Sequence, residues 1–436
     1  MNDLSDAHQL DDKRIINAWS FFDWANSSYA LVIAVAIFPN YFIRMTDDFI
    51  PVWGMNISNS SLYAFSISLA YVVIALCLPL LSGIADYSGR RKYFLKLFTI
   101  IGSVSCFLLF FFKGMPQVAL ALICFMLATI GFEGGKVFYN SYLPLITSPD
   151  RYDRVSAKGF AYGYFGSVIL LVTNLIIILN PNWFGIKNET LPIRISFVMV
   201  AVWWISFAMI PFQRLPRDQR RKSGSNLIKK GILEIKKVWT ELQPQRDTKQ
   251  FLFSFFCYSA GVHTVIYLAA TFAEKELAFA TTDLIMVILL LQIVGIGGAY
   301  FFAFISKIKG NKYSIMSMLT IWVLICIMAY FVNEKLQFYV IAALVGLVMG
   351  GIQAMSRSTY SKLIPKNAND TTSYFSFFEV LEKVAIVFGT FSFGFLDQIT
   401  GGMRNSVLLL ALYFIIGMII LSRVQIGRDQ PQLEYS

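Results

Sequence analysis

Twelve apolar stretches, separated by short polar segments, fill most of the 436-residue chain. A helix of about 20 apolar residues crosses the roughly 30 Å hydrocarbon layer of a bilayer, because each residue adds about 1.5 Å. The pattern therefore predicts an all-α polytopic membrane protein with twelve transmembrane helices. The predicted spans are residues 15–43, 60–84, 93–113, 116–140, 157–180, 193–213, 249–274, 281–306, 312–332, 337–360, 372–396 and 403–423.

The basic residues beside these spans indicate an orientation. If the N-terminus is cytoplasmic, 27 Lys and Arg residues fall on the cytoplasmic face and seven on the other. Cytoplasmic loops of membrane proteins are enriched in Lys and Arg, so we expect both termini in the cytoplasm. The net charge of +11 then reflects loops beside anionic lipid headgroups, and no nucleic-acid partner is expected.

The longest hydrophilic stretch divides the chain into two sets of six spans. We predict a first half at residues 1–213, a basic cytoplasmic linker at 214–248 and a second half at 249–436. In the linker, Ile228, Ile232, Ile235, Trp239 and Leu242 recur at helical spacing beside lysines. This pattern is typical of an amphipathic helix on the cytoplasmic leaflet, and a partner-binding helix would show the same pattern.

Composition disfavours an enzyme. The five cysteines all lie inside apolar spans, and the sequence has two histidines, no HExxH segment and no nucleotide-binding loop. We therefore expect a protein that is not an enzyme and that needs no metal or cofactor.

A glycine-containing, basic loop connects the second and third spans. It reads Gly83-Ile-Ala-Asp86-Tyr-Ser-Gly89-Arg90-Arg91. Gly83 and Gly89 allow a tight turn between close helices. Asp86 can pair with a nearby arginine or face the positive N-terminal end of the eleventh span. We predict that Gly83, Asp86, Gly89, Arg90 and Arg91 form a latch that holds the two halves together in one conformational state.

This loop and the six-plus-six arrangement resemble the major facilitator superfamily, whose members are transporters built from two six-helix halves. The loop departs from the superfamily pattern at Tyr87, where a basic residue is usual. In the second half, Lys307 stands where an aspartate would be expected. We therefore expect a latch on one side only.

A narrower resemblance, to the bacterial "unknown major facilitator" family, extends over most of the chain. That family is related to fungal vacuolar amino-acid effluxers linked to autophagy. The matching segments are 19–30, 38–42, 137–144, 158–166, 261–266, 350–358 and 363–365, with Lys383 and Gly389. The resemblance implies the major facilitator fold and a transport function, but no particular substrate. It departs at Ser259-Ala260, where the family commonly has Asn-Asp, and at His263, where a glutamine is usual.

Polar and charged side chains inside the spans are the candidate binding residues, because an ionisable group in hydrocarbon is costly unless it is paired or hydrated. We predict a cluster of Asp23, Asn26, Glu133 and Lys136 in the inner part of a central cavity. Further candidates for a substrate or ion site are Asn140, His263, Gln292, Gln353, Arg357, Glu379 and Lys383. This mixture of carboxylates and cations suits a zwitterion such as an amino acid.

Two interpretations of these charges remain open. Glu133 with Lys136, and Glu379 with Lys383, have the spacing of ion pairs that stabilise helices without binding a substrate. The functional hypothesis is a secondary active or facilitative transporter of a small polar, amino-acid-like solute, with efflux and proton coupling left open. The alternative is a transporter-like membrane sensor or scaffold. We expect a monomer in a bacterial inner membrane, or in the vacuolar membrane if the protein is eukaryotic.

Overall fold

The computed structural model describes residues 10–52, 54–218, 226–365, 370–400 and 402–426. Within them the chain forms fifteen α-helices and one two-stranded hairpin. The helices are α1 (Lys13–Ser28), α2 (Phe38–Met45), α3 (Asn59–Ser88), α4 (Arg91–Leu108), α5 (Val118–Asn140), α6 (Leu143–Ile146), α7 (Tyr152–Leu179), α8 (Leu191–Arg214), α9 (Leu227–Leu242), α10 (Arg246–Leu277), α11 (Thr281–Lys309), α12 (Asn311–Phe331), α13 (Lys335–Leu363), α14 (Thr371–Thr400) and α15 (Met403–Ser422). The basic stretch 219–225 and both chain ends lie outside the described residues, so the cytoplasmic position of the termini stays a prediction.

Each predicted span corresponds to a helical segment whose ends differ from the prediction by at most five residues. Eleven of these segments are long and apolar enough to cross a membrane. The twelfth, α14, has 30 residues but carries Glu379, Glu382 and Lys383 near its middle. These three side chains are buried, because α14 packs against α3, α5, α10 and α15. The predicted all-α membrane architecture is confirmed.

The first span is not a continuous α-helix. Between α1 and α2, residues Tyr29–Ile37 form a π-helix, and at its end the N–H of Phe38 donates to the carbonyl of Ile33, five residues back. Pro39 follows at the start of α2 and has no N–H to donate. The sequence pattern did not predict this segment, because all nine of its residues are apolar or aromatic and no polar face reveals the period.

A short antiparallel hairpin, which the sequence analysis did not predict, connects α2 to α3. Its strands are β1 (Phe49–Val52) and β2 (Met55–Ser58), and Phe49 pairs with Ser58. Phe49 and Met55 are exposed and only Ile50 is buried. The segment therefore lacks the alternation of apolar and polar residues that indicates a strand.

The buried apolar residues form two clusters. One surrounds Trp204 and Phe125, and the other surrounds Trp322 and Phe414. Between the clusters, α3 packs on α14, and α7 packs on α11 and α13. Polar side chains of α1, α5, α13 and α14 meet in this interface. The exact boundaries predicted at 213 and 248 stay predictions.

One end of the bundle carries the α3–α4 turn at Gly89, the start of α7, the α11–α12 turn at Gly310 and the start of α14. We call it the basic end, because Arg90, Arg91, Arg154 and Lys309 lie there. The hairpin lies at the opposite end. By the positive-inside rule, the basic end is predicted to be cytoplasmic.

Helix α9 packs at the basic end across α3 and α14. Gly83 of α3 and Gly231 of α9 approach so closely that a Cβ on Gly83 would lie 2.3 Å from the Gly231 carbonyl oxygen. On the α14 side, Lys237 Nζ lies 2.6 Å from Asp370 Oδ2. Ile232 and Trp239 remain exposed. The apolar stripe predicted on α9 is therefore divided: one edge packs against the bundle, and the other edge is exposed.

We expect the contact between α9 and α14 to depend on pH through Glu234. Burial and the hydrogen-bonded Asp370 carboxyl raise the pKa of Glu234 from 4.5 to about 7, while Lys237 opposes this effect. The docked helix therefore holds the proton more tightly than an undocked helix does. Docking is strongest below about pH 4.5, weakens as the pH rises to about 7, and then changes no further.

Hydrogen exchange of the α9 amides tests this expectation. After correction for intrinsic rates, exchange should accelerate between about pH 4.5 and 7 in the wild type and not in Glu234→Gln. An identical profile in both proteins would contradict the expectation.

Candidate functional site

Seven charged side chains from four helices contact one another in the middle of the bundle, and six of them are buried. We call them the charged network: Asp23 on α1, Glu133 and Lys136 on α5, Arg357 on α13, and Glu379, Glu382 and Lys383 on α14. The network has two parts, one around the two lysines and one around the arginine.

In the first part, two ammonium groups share three carboxylates. Lys383 Nζ lies 2.6 Å from Glu133 Oε2, 3.2 Å from Glu379 Oε2 and 2.5 Å from Glu382 Oε2. Lys136 Nζ lies 3.3, 3.6 and 3.3 Å from the same three oxygens. Three of these six contacts join α5 to α14, so the pairs predicted within each helix also connect the two halves.

In the second part, Arg357 of α13 reaches into the first half. Its Nη1 lies 3.4 Å from Asp23 Oδ2, and its Nε donates to Ser156 Oγ at 2.9 Å. The Tyr139 hydroxyl donates to the same Asp23 oxygen at 2.7 Å. The guanidinium also lies over the Phe160 ring, 4.4 Å from its centre, which is the geometry of a cation–π contact.

The amide of Asn140 joins the two parts. Arg357 Nη1 donates to Asn140 Oδ1 at 3.0 Å, and Asn140 Nδ2 donates to Glu379 Oε1 at 2.7 Å. The network is therefore continuous from α1 through α13 and α5 to α14.

The close approach of α1 and α7 depends on a glycine. A Cβ on Gly159 would lie 2.6 Å from Asp23 Oδ2, 2.9 Å from the Tyr139 hydroxyl and 3.0 Å from Arg357 Nη2. Only a residue without a side chain leaves room there for the pair between Asp23 and Arg357.

The four residues predicted to form one cluster, Asp23, Asn26, Glu133 and Lys136, do not all contact one another. Asp23 pairs with Arg357, and its connection to Glu133 runs through Asn140 and Glu379. Asn26 is buried, but its Oδ1 has no hydrogen-bond partner among the described residues.

Three further candidates lie in different surroundings. His263 Nε2 lies 3.5 Å from Glu382 Oε1, and its Nδ1 lies 3.0 Å from the Ser259 carbonyl, so His263 borders the network. Gln353 Oε1 accepts from the Tyr164 hydroxyl at 3.1 Å, across the interface between the halves. The Oε1 of Gln292 is buried and has no partner in the described part of the chain.

Glu382 belongs to the network, and Tyr139 and Ser156 contact it, but none of the three was among the predicted binding residues. Glu382 could have been included, since it lies three residues from Glu379 and so shares its helix face. The hydroxyls of Tyr139 and Ser156 gave no comparable signal, because their contacts depend on how neighbouring helices pack.

The network contains four carboxylates and three cationic side chains. If every group is ionised and His263 is neutral, one negative charge is uncompensated. An unpaired charge away from water costs several kcal/mol. The network should therefore attract one additional positive charge.

Three carboxylates of the network also have the spacing of metal ligands. Single oxygens of Glu133, Glu379 and Glu382 lie within 4.8 Å of one another, and carboxylate oxygens are ligands for hard cations. The ammonium groups of Lys136 and Lys383 contact these same carboxylates. The expectation that the protein needs no metal stays a prediction.

The predicted latch residues lie at the basic end. Asp86 Oδ2 accepts from the backbone N–H and the hydroxyl of Ser373, at 2.7 and 2.8 Å, in the first turn of α14. Asp86 Oδ1 lies 3.0 Å from Arg91 Nη2, and Arg91 Nε donates to Thr372 at 2.6 Å. Both contacts expected of Asp86 are therefore present, and a carboxylate from one half stabilises the N-terminus of a helix in the other.

The other predicted latch residues differ in what they do. Gly89 ends α3 with φ at 67°, which favours glycine. Gly83 does not shape the turn, because it lies inside α3 against α9. Arg90 precedes α4 and forms no ion pair with a described residue.

A second carboxylate joins the halves where the sequence analysis expected none. Asp153, at the start of α7, accepts from Asn311 Nδ2 at 2.7 Å and Ser306 Oγ at 2.8 Å, and lies 2.8 Å from Lys362 Nζ. The expectation of a latch on one side was therefore wrong. It was based on Lys307, whereas the acidic partner stands on the first half.

The bundle of membrane-spanning helices in two halves, with buried polar groups between them, has the architecture of the major facilitator superfamily. A crystal structure of the superfamily transporter FucP in the outward conformation matches with a TM-score of 0.69 at 13% identity, covering 95% of this chain and all of FucP. The structure of a human organic anion transporter matches with a TM-score of 0.71 at 13% identity, with the same coverage. These likenesses establish the fold.

The chain belongs to the family described as "Vacuole effluxer Atg22 like", whose model matches residues 11–434. YxiO of Bacillus subtilis, an uncharacterized MFS-type transporter, is 29% identical over 416 residues, covering 94% of each chain. Autophagy-related protein 22 of Saccharomyces cerevisiae is 22% identical over 431 residues, covering 86% of this chain and 80% of the yeast protein. The predicted resemblance is confirmed, and the protein is a multi-pass membrane transporter.

Replacing Gly159 by alanine should separate Asp23 from Arg357 without removing a charge. The added Cβ would lie within 3.0 Å of both side chains, and overpacking of this kind costs about 1–3 kcal/mol. We expect Gly159→Ala to lower the melting temperature of the purified protein. Gly297→Ala is the matched control, since nothing lies within 4 Å of a Cβ there. Equal melting temperatures in the two variants would contradict the assigned contact.

Asp86→Asn should open the basic end. The substitution removes a charge that Arg91 and the N-terminus of α14 both stabilise, and a hydrogen bond to a charged group contributes about 1.5–3 kcal/mol. Spin labels at Lys96→Cys and Lys309→Cys, with Cys77 replaced, should show longer distances in this variant.

Asp218→Asn provides the control for that measurement. Asp218, just after the end of α8, accepts from the N–H groups of Lys92 and Tyr93 at the start of α4, at 2.7 and 3.0 Å, so these contacts do not join the two halves. If Asp218→Asn lengthens the distances as much as Asp86→Asn does, Asp86 has no special role in closing the basic end.

Proposed function

We propose that the protein is a secondary transporter that moves a small zwitterionic, amino-acid-like solute by alternating access around the charged network. The observation that carries the proposal is that the network's ion pairs cross between the halves, as Lys383 to Glu133, Lys136 to Glu382 and Arg357 to Asp23. Whatever binds these groups must also change how strongly the halves are held together.

A zwitterion matches the chemistry of the network. An α-amino group can take the place of an ammonium among Glu133, Glu379 and Glu382, and an α-carboxylate can pair with the released lysine or with Arg357. Each buried charge keeps a partner while a pair between the halves breaks. The solute therefore lowers the free energy of separating the halves. A ligand can drive a conformational change only if it binds the two conformations with different free energies, and this solute meets that condition.

The described state is closed at the basic end. The contacts of Asp86 and Asp153 lie between that end and the network. Farther from the basic end than Arg357, the hydrogen bonds between the halves include those from Tyr164 to Gln353 at 3.1 Å and from Tyr71 to Tyr267 at 2.8 Å. This distribution supports access to the network from the opposite end in this state, and release at the basic end after both aspartate contacts break.

The single uncompensated negative charge of the network supports coupling of solute transport to the movement of one proton. Four carboxylates and three cations leave one negative charge, which a zwitterion does not compensate. The pair of Glu382 and His263 is the place we assign to the proton, since both side chains are titratable and lie 3.5 Å apart. A cationic amino acid would supply the missing charge itself.

Counterflow into proteoliposomes tests the proposal. Liposomes loaded with an unlabelled amino acid should accumulate the same labelled amino acid. Glu133→Gln should reduce the rate at least tenfold, because it removes the charge that Lys136 and Lys383 both contact. Glu276→Gln, which breaks an ion pair with Arg404 outside the network, should retain the wild-type rate.

Two outcomes of the counterflow assay would contradict the proposal. One is that folded protein exchanges no amino acid, and the sensor or scaffold alternative then gains support if dipeptides, nucleosides and sugars also fail. The other is that Glu133→Gln transports as fast as Glu276→Gln, which would remove the network from the solute pathway.

A pH-sensitive dye inside the liposomes tests proton coupling. We expect a zwitterionic amino acid to carry about one proton per molecule, and a cationic amino acid to move without one. Equal proton movement for both solutes would contradict the charge argument while leaving the transport assignment intact.

We also infer that one chain suffices for transport, because every member of the network belongs to a single polypeptide. The relatives support a bacterial plasma membrane or a vacuolar membrane as its location.

A further inference from the structure

A groove at the basic end, away from the charged network, lies between α1 and α8. Its volume is about 320 Å³. Arg14 and Asn17 of α1 and Gln213 and Arg214 of α8 form its polar rim, and Phe21 lies among the apolar residues below them. The groove thus offers a charged entrance above an apolar floor.

The rim is strongly basic. Neither Arg14 nor Arg214 forms an ion pair with a described residue, and both are exposed. Lys158 of α7 donates a hydrogen bond to Asn17, which brings a third cation to the rim. No described carboxylate lines the groove. The charge at this place favours an anionic ligand, and two guanidinium groups favour one with phosphate oxygens, which arginine binds in a bidentate manner.

The floor continues into an aromatic surface. Phe21 packs against Tyr162 of α7 and Phe207 of α8, with ring centres 5.5 and 6.4 Å apart. Phe165 and Met209, further along the same helices, are exposed. On a membrane-spanning bundle such an exposed apolar surface faces acyl chains, and aromatic rings are enriched at the level of the headgroups.

We propose that this groove binds an anionic glycerophospholipid. The phosphate lies between Arg14 and Arg214, Lys158 adds to the positive potential, and an acyl chain follows the apolar surface past Phe21. The predicted cytoplasmic position of the basic end places the groove at the leaflet that carries anionic lipids. Bound lipid joins α1 to α8, and α1 also carries Asp23 of the charged network.

The test compares lipid binding by the full-length protein and by Arg14→Gln/Arg214→Gln. Protein purified in a neutral detergent is titrated with phosphatidylglycerol, and adducts are counted by native mass spectrometry alongside melting temperatures. A ligand that binds only the folded state raises the melting temperature with concentration. We expect the apparent affinity for phosphatidylglycerol to fall at least tenfold in the double variant.

Two control proteins separate a specific site from general attraction. Arg246→Gln/Lys307→Gln removes the same charge from exposed positions at the same end and should bind like the wild type. Arg14→Lys/Arg214→Lys keeps the charge but not the bidentate geometry, and should bind with intermediate affinity. Equal melting temperatures without added lipid establish that all variants are folded.

The choice of ligand identifies the source of the phosphate. Phosphatidylcholine, inorganic phosphate and glycerol 3-phosphate should each have much less effect than phosphatidylglycerol. The proposal is overturned if the Gln double variant retains wild-type affinity or if the Arg246/Lys307 control loses as much. It is also overturned if inorganic phosphate stabilises the protein as well as the lipid does, which would indicate a site for the free anion.

Discussion

A charge surrounded by hydrocarbon needs a partner, and in this protein the two halves supply partners for each other. The first half buries Asp23 and Glu133 but contributes a single cation, Lys136, to the network. The cation for Asp23 is Arg357, on the second half. Because removing one member of a buried pair costs about 3–5 kcal/mol, the halves cannot separate at this level unless water or another ligand replaces the lost contacts. The electrostatic requirement therefore links the fold to the transport cycle.

At the basic end, carboxylates of the first half also depend on partners in the second half, but most of these partners are different chemical groups from those in the network. Asp86 and Asp153 both belong to the first half, and both accept hydrogen bonds from residues at helix ends in the second. The contacts of Asp86 with the second half come from neutral donors, whereas those of Asp153 include an ion pair with Lys362, and none of them involves a residue of the charged network. Closure of the basic end thus does not require the network to be occupied, and the two sets of contacts can break in sequence. Helix α9 adds a third connection, since it contacts both α3 and α14.

Sequence reasoning succeeded where the physical cause is local. The length of an apolar stretch is set by the thickness of the bilayer, so the twelve spans and their ends followed from the chain alone. The contacts of Asp86 followed from charge and proximity to a helix terminus. The partners of Asp23 did not, because they depend on which faces of α1, α5 and α13 meet, and no local spacing encodes that. Asp153 was missed because the second latch was sought at a position defined by analogy with the first.

The π-helical winding of Tyr29–Ile37 has a consequence for changes in chain length. A π-helix holds more residues per turn than an α-helix. Deleting one residue there would allow α-helical winding while Asp23 and Pro39 kept their present orientations on either side. The same deletion in the regular α13, before Arg357, would rotate that side chain by about 100° and carry it away from Asp23. The first span can therefore differ by one residue between relatives that share the same site, whereas a change of length elsewhere has to be absorbed in a loop.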